Sequence, residues 1–268
     1  MQSSLTRVVR NRLTDLLLGA FCSQPKREAL LWLALYCELG ARACDSREPP
    51  ADYDAAWARR YQQWAGRPKS PRETAASLTG LLEFRPRCAT SGEVAGGIET
   101  HRARALEVEP HAQLCQCLGA ACDRVRSYVK VLRKATAQQR RLEQVQPLHR
   151  AVAEAGMCFD TGLFFEAHEH LEHQWVALPP GSEKQQVQGI IQISVGFHHA
   201  MRGSYDGAIN QLEKGLVKLA DAPRGALGLD CPRFRQEVAA AWRQIIARGR
   251  RRMRRALPEE LPRMRVGS

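Results

Sequence analysis

The amino-acid sequence predicts an all-α protein with a small antiparallel helical bundle in its C-terminal half. Two observations indicate the class: the alternation of Val, Ile and Thr that is typical of strands is nearly absent, and Ala, Leu, Arg, Glu and Gln dominate. A third observation indicates the bundle. After residue 148, turn signals separate the helical segments by connections short enough to favour antiparallel neighbours.

The N-terminal half predicts a series of helices with weaker patterning. Prolines at 49–50, 68 and 71 interrupt the chain between them. We expect helices over residues 4–20, 25–44, 52–66 and 72–84, a loop over 85–100, and a long helix over about 108–145. The apolar face of the long helix is formed by Leu114, Leu118, Ala121, Val125, Tyr128 and Leu132.

Pro147 marks a plausible end of this region, and it suggests a division into three parts. We expect a helical N-terminal extension over 1–145, a helical domain over 146–247 and an Arg-rich tail over 248–268. Two interpretations of 1–145 stay open: a helical partner domain, or an extension that folds poorly.

The C-terminal half carries clear helix start and stop signals. Asp160 is predicted to cap a helix that starts near Thr161 and ends before Pro179-Pro180-Gly181. Ser182 with Gln185 fits a capping box that opens the next helix, and Gly203 ends it. Asp206 is predicted to cap the helix after that. The last three helices are expected over about 182–202, 207–221 and 232–247.

Charge and cysteine usage limit the environment of the chain. The net charge of +12 is concentrated at the end, where nine arginines follow Ala241. No apolar run approaches the roughly 18 residues needed to cross a bilayer, and Asp15 interrupts the short apolar stretch that resembles a signal peptide. The nine cysteines show no C-x-x-C pair. We therefore expect a cytoplasmic protein with free thiols and no membrane association; an organelle transit peptide is the alternative for the N-terminus.

A cysteine-rich segment offers one alternative metal site. Cys115, Cys117 and Cys122 with His111 are residue types that ligate zinc. Their spacing matches no usual zinc module, and no second half-site follows. Buried or incidental thiols are the competing interpretation.

Residues 159–175, FDTGLFFEAHEHLEHQW, are too polar for a plain core helix and too aromatic for a solvated one. Phe164, His168, Leu171 and Trp175 follow the i, i+4, i+7, i+11 spacing of one helical face. His168 lies within reach of Glu172, and Trp175 is expected to bury its ring while its N–H finds an acceptor. His170 and His173 are interpreted as water-facing. Imidazole and carboxylate side chains are common ligands of divalent transition metals.

A second segment adds polar side chains to this array. Gln188, Gln192 and His199 share a face of the next helix, while Gly189 and Gly196 would let another helix approach closely. If the polar face meets the preceding helix, Gln192 and His199 converge on His168, Glu169 and Glu172. The competing interpretation is a buried hydrogen-bond network that locks the two helices together.

Both segments together resemble the domain-of-unknown-function 309 family over about residues 148–220. The motif Ala-His-Glu-x-x-Glu-x-x-Trp falls on Ala167 to Trp175, and Gln188, Gly189, Gln192, His199 and Gly203 follow in register. Asp160 and Ser204 stand where the family usually has Asn. The resemblance implies a compact all-helical domain, and members are sometimes labelled predicted metal-dependent hydrolases.

Three functions follow as hypotheses. In the first, His168, Glu172 and His199 bind a divalent metal, Glu169 and Glu172 act in acid/base catalysis, and a polar network of Trp175, Gln188, Gln192, His199 and Arg202 surrounds the ligand. In the second, the domain is a non-catalytic module that binds a small ligand or a protein. In the third, the arginine run Arg248–Arg255 binds nucleic acid weakly and without sequence preference.

Overall fold

A computed structural model describes residues 5–45, 77–86, 106–250 and 261–265. It divides the chain into two compact units, Met1–Val129 and Lys130–Ser268. The all-α prediction is confirmed for the described residues, except for one two-stranded sheet. None of the helices described has both the length and the apolar character needed to span a bilayer. The predicted helix over 52–66 lies outside the described residues.

In the first unit, helices α1 (Arg7–Cys22) and α2 (Gln24–Asp45) pack against each other. The Thr6 hydroxyl caps α1 by accepting a hydrogen bond from the Val9 N–H. Buried Leu13 and Leu17 of α1 and Leu30 of α2 supply apolar core. The helices predicted over 4–20 and 25–44 are therefore confirmed.

The same unit contains an antiparallel sheet of β1 (Leu82–Pro86) and β2 (Leu106–Pro110), in which Phe84 pairs with Val108. Residues 72–76 and 87–100 lie outside the described ranges. The helix predicted over 72–84 is wrong from residue 79 onward, where a turn leads into β1, and residues 85–86 of the predicted loop belong to β1. Both strand sequences, LEFRP and LEVEP, alternate apolar with other residues. This period of two favours strands, but it extends over too few residues to stand out without its partner.

The long helix predicted over 108–145 is also interrupted. It divides into α3 (Ala112–Cys115), α4 (Leu118–Ala137) and α5 (Gln139–Leu142). The predicted apolar face is nevertheless largely correct, because Leu114, Ala121, Val125, Tyr128 and Leu132 are buried and only Leu118 is half-buried.

The second unit is a bundle of consecutive helices: α6 (Pro147–Phe159), α7 (Phe164–Ala177), α8 (Ser182–Met201), α9 (Tyr205–Lys218) and α10 (Cys231–Arg248). Each helix from α6 to α9 packs against the next one along the chain. Gly203 follows α8 with φ of 74°, which confirms the predicted stop. The sequence predicted the last four helices to within a few residues at each end, but it did not specify α6.

The predicted helix caps in this unit are wrong. Asp160 follows α6 instead of capping α7, and Gly181 and Ser204 precede α8 and α9 without side-chain caps. Asp160 instead accepts a hydrogen bond from the Met264 N–H at 2.8 Å. Desolvation raises the pKa of the Asp160 carboxyl group, although this hydrogen bond opposes the shift.

The C-terminal segment 261–265 returns to the bundle. Met264 is buried, and the Arg263 N–H donates to the Glu237 carboxylate on α10 at 3.0 Å. Partial burial of Glu237 opposes ionisation, but hydrogen bonds from Arg263, Arg233 and Arg265 lower its pKa. Of the predicted arginine run, Arg250 pairs with Asp206, and residues 251–260 lie outside the described ranges.

The close helix approach predicted at Gly189 and Gly196 is confirmed, and the approaching helix is α9. An added Cβ at Gly196 would lie 2.7 Å from the Leu212 side chain. An added Cβ at Gly215, the α9 residue that faces this contact, would lie 2.7 Å from the Gly189 carbonyl oxygen. The glycines therefore let the two backbones pack directly against each other.

Candidate functional site

Helix α7 carries the candidate site, and aromatic packing fixes its position against both neighbours. Phe164 stacks on Phe197 of α8 with 5.3 Å between ring centroids. The edge of the same ring meets Phe159 of α6 at 4.8 Å. Phe164 and Leu171 are buried, whereas His168 and Trp175 lie at the half-buried edge of the predicted face. This edge is where polar side chains can meet both the core and solvent.

His168, Glu169 and Glu172 form a cluster on this edge. One ligand-type atom from each residue lies within 4.8 Å of the other two. The His168 Nε2 atom is 3.2 Å from a Glu172 carboxylate oxygen, and Nδ1 is 3.7 Å from Glu169. Within the ranges that the structure covers, this is the only group of three or more His, Cys, Asp or Glu side chains placed to hold a metal. The alternative set of His111 and three cysteines is not assembled.

The backbone determines which ring nitrogen of His168 is available. Nδ1 lies 3.1 Å from the Phe165 carbonyl oxygen, which can only accept a hydrogen bond. This contact favours the tautomer that carries its proton on Nδ1. In the neutral ring, Nε2 then presents a lone pair to the Glu172 carboxylate, which is also an acceptor. In this tautomer two acceptors face each other at 3.2 Å, an arrangement that a cation between them would stabilise.

His198 shares an aromatic neighbour with His168 of this cluster, although the sequence did not single it out. The Phe165 ring lies 5.5 Å from the His168 ring and 5.4 Å from the His198 ring. Phe165 therefore links the cluster on α7 to a histidine on α8. The sequence did contain a signal for His198, because it is adjacent to His199. The helical periodicity, however, placed His199 and not His198 on the same face as Gln188 and Gln192.

A second histidine–carboxylate pair lies on the side of α7 that faces α6. His170 Nε2 is 2.8 Å from a Glu154 carboxylate oxygen, and each side chain is only 12% exposed. The interpretation of His170 as water-facing is therefore wrong, while His173 is exposed as expected. Glu154 escaped the sequence analysis because a single Glu among alanines on α6 gives no signal of a partner. This pair joins α6 to α7.

Replacing Glu154 with Gln should destabilise the second unit by about 1–1.5 kcal/mol, because the amide oxygen can still accept from His170 but the charge that strengthens this short, mostly buried hydrogen bond is lost. Hydrogen exchange of the most protected amides in α6–α10 would measure the loss. Glu172→Gln is the matched control, since Glu172 is 51% exposed and its replacement should change stability by less than about 0.5 kcal/mol. Equal losses for both variants would contradict a structural role specific to the Glu154–His170 pair.

The other predicted site residues lie in different surroundings. His199 packs against the start of α9, where an added Cβ at Gly207 would lie 2.9 Å from its ring. Arg202 is exposed and caps the C-terminus of α8, and Gln188 is half-buried. The third ligand-type residue beside His168 and Glu172 is therefore Glu169, whereas the sequence predicted His199.

Two polar atoms of the predicted network have no hydrogen-bond partner among the described residues. The Trp175 indole N–H is buried, and the acceptor that we expected for it is not found in this part of the chain. The ring instead packs under the Lys184 ammonium group, which lies 5.0 Å from its centroid. The Gln192 side-chain carbonyl oxygen is likewise buried, with no donor within the described ranges.

These features define a helical-bundle domain with a partly exposed His/Glu cluster on its second helix. Residues 152–211 match the family described as "Domain of unknown function (DUF309)", as the motifs indicated. The chain is also 33% identical over 85 residues to the "Uncharacterized protein YpuF" of Bacillus subtilis strain 168. The match covers 31% of this chain and 48% of YpuF, so the chain spans about half the length of this relative. No solved structure matches the chain.

Proposed function

We propose that His168 and Glu172 bind a divalent transition metal on α7, with the Glu169 carboxylate beside it. The observation that carries the proposal is the 3.2 Å approach of His168 Nε2 to Glu172, with Nδ1 occupied by the Phe165 carbonyl. Metal-binding histidines commonly donate their second N–H to a carbonyl in this way, which fixes both tautomer and ring orientation. Neutral imidazole and carboxylate are donors suited to zinc and similar ions.

The reaction class we propose is metal-dependent hydrolysis. A divalent ion held here would act as a Lewis acid toward an ester, amide or phosphate group and would ease deprotonation of water. His168 and Glu172 are the primary ligands, because His168 Nε2 lies 3.2 Å from Glu172, whereas His168 Nδ1 lies 3.7 Å from Glu169. Glu169 is the second carboxylate and serves as the general base, with about two-thirds of its side chain shielded from solvent. Phe165 and His198 form the adjoining wall toward α8.

The test is metal binding by the full chain. Elemental analysis after equilibration with zinc, manganese or iron(II) should give one equivalent of a preferred ion. His168→Ala and Glu172→Gln should each weaken its affinity by at least about 100-fold, because each removes a primary ligand. His173→Ala is the control, since His173 is an exposed histidine on the same helix and should leave affinity unchanged. Sub-stoichiometric metal that persists unchanged in His168→Ala would refute the proposal.

A second candidate is a non-catalytic binding or scaffold module. The buried pair of Glu154 and His170 favours it, because it uses the same residue types for helix packing alone. In that case a proton on His168 bridges it to Glu172. Removing His168 would then lower the unfolding free energy without changing metal content.

A further inference from the structure

A groove between α9 and α10 lies apart from the His/Glu cluster. The two helices run antiparallel, because Arg235 near the start of α10 donates to the Leu216 carbonyl of α9, and Arg250 beyond its end pairs with Asp206. The groove has a volume of about 510 Å³. Its apolar surface is formed mainly by Leu216, Val217, Ala239 and Trp242.

The apolar surface of this groove is partly open to solvent. The Val217 side chain is 70% exposed. Trp242 lines the groove, and among the described residues its buried indole N–H has no acceptor. Within that part of the chain, no hydrogen bond from the indole holds the ring in place. Tryptophan is among the residues that contribute most to protein–protein binding.

The charges around the groove indicate which kind of partner it can bind. Arg235 and Arg243 lie on the α10 side, two turns or about 12 Å apart along the helix. Glu213 is the acidic residue on the α9 side. Two cations against one anion give each groove a surplus positive charge, which disfavours contact between two copies of this chain. An acidic partner complements it.

We propose that this groove binds an amphipathic helix of another protein, with the apolar stripe of that helix on Leu216, Val217 and Trp242. Two acidic residues on one flank of the helix, two turns apart, pair with Arg235 and Arg243. An extended groove between antiparallel helices suits the helix-in-groove mode of recognition, in which apolar residues at i, i+3 or i+4 and i+7 insert between the helices.

A displayed library of amphipathic 14-residue helices tests this proposal against the full chain. The apolar positions are fixed, and the flanking positions vary freely among Glu, Lys and Ser. We expect enrichment of clones with acidic residues on one flank, and at least tenfold weaker binding of those clones to Val217→Glu. Val176→Glu is the matched control, because Val176 is 68% exposed on α7 and outside the groove, and should leave binding unchanged.

Reversing the charge of the two arginines tests whether the groove selects an acidic partner. The double variant Arg235→Glu/Arg243→Glu should switch the enriched flank from Glu to Lys. Lack of enrichment, enrichment of Lys flanks by the unaltered chain, or binding insensitive to Val217→Glu would each overturn the proposal. Sedimentation that shows a dimer abolished by Val217→Glu would also overturn it, because a second copy would then occupy the groove.

Discussion

Replacing Phe159 with alanine should lower the unfolding free energy of the second unit by about 3–5 kcal/mol. Phe159 is buried at the end of α6, and its ring meets the edges or faces of Phe164, Phe197 and Phe234 at centroid distances of 4.8, 5.6 and 5.5 Å. One ring therefore contacts α7, α8 and α10 together. Its removal leaves a cavity that no single neighbour can fill.

Hydrogen exchange of the most protected amides in α6–α10 measures this loss without interference from the first unit. Phe159→Leu is the graded control: it keeps most of the apolar volume and should lose less stability. Phe159→Ala should also weaken metal binding indirectly. Phe159 packs against Phe164, and Phe164 orients the helix that carries His168. A loss below about 1 kcal/mol for Phe159→Ala would contradict this prediction, because it would mean that neighbouring side chains fill the cavity.

Replacing Gly215 with leucine should destabilise the same unit by about 3 kcal/mol or more, which is beyond the usual range for overpacking. The Cβ atom alone would lie 2.7 Å from the Gly189 carbonyl oxygen and 2.6 Å from the Ile193 side chain. Backbone cannot rotate away as a side chain can, so α8 and α9 would have to separate. The higher helix propensity of leucine returns only up to about 1 kcal/mol.

Two further variants grade this effect. Gly189→Ala should cost less than Gly215→Ala, because its nearest contacts are 3.1–3.2 Å. Gly119→Leu is the open-space control: nothing lies within 4 Å of a Cβ added there, and Gly119 belongs to the first unit. Amide exchange in α8 and α9 should be unchanged in that variant. A stability increase in Gly215→Leu would contradict direct backbone packing.

The sequence predicted the cluster of His168, Glu169 and Glu172 because all three belong to one helix. Their spacing of one and four residues determines their relative positions once the helix forms. Residues from other helices were predicted less well. His199 was expected beside His168, but it packs at the turn to α9. His198, its neighbour in sequence, is linked to the cluster through Phe165.

The difference arises from the rotation of α8 about its axis. The sequence indicated both a polar face and a glycine face on this helix, and the hypothesis of a shared site placed the polar face against α7. The structure shows that the glycine face meets α9 and that Phe197 packs on Phe164. These apolar contacts stabilise the bundle more than hydrogen bonds exchanged with water do, so they set the rotation. The polar residues take the positions that remain, which leaves the Gln192 side-chain oxygen without a donor in the part of the chain that the structure describes.

By itself, the sequence determined the all-α class, the last four helices, the glycine contact and the single-helix cluster, because each follows from local periodicity or a motif within one segment. The tertiary structure alone decided the Glu154–His170 pair, the place of His198, the strands at Leu82 and Leu106, and the groove along α9 and α10. Each of these depends on side chains distant in sequence, and their meeting is governed by the packing of the core.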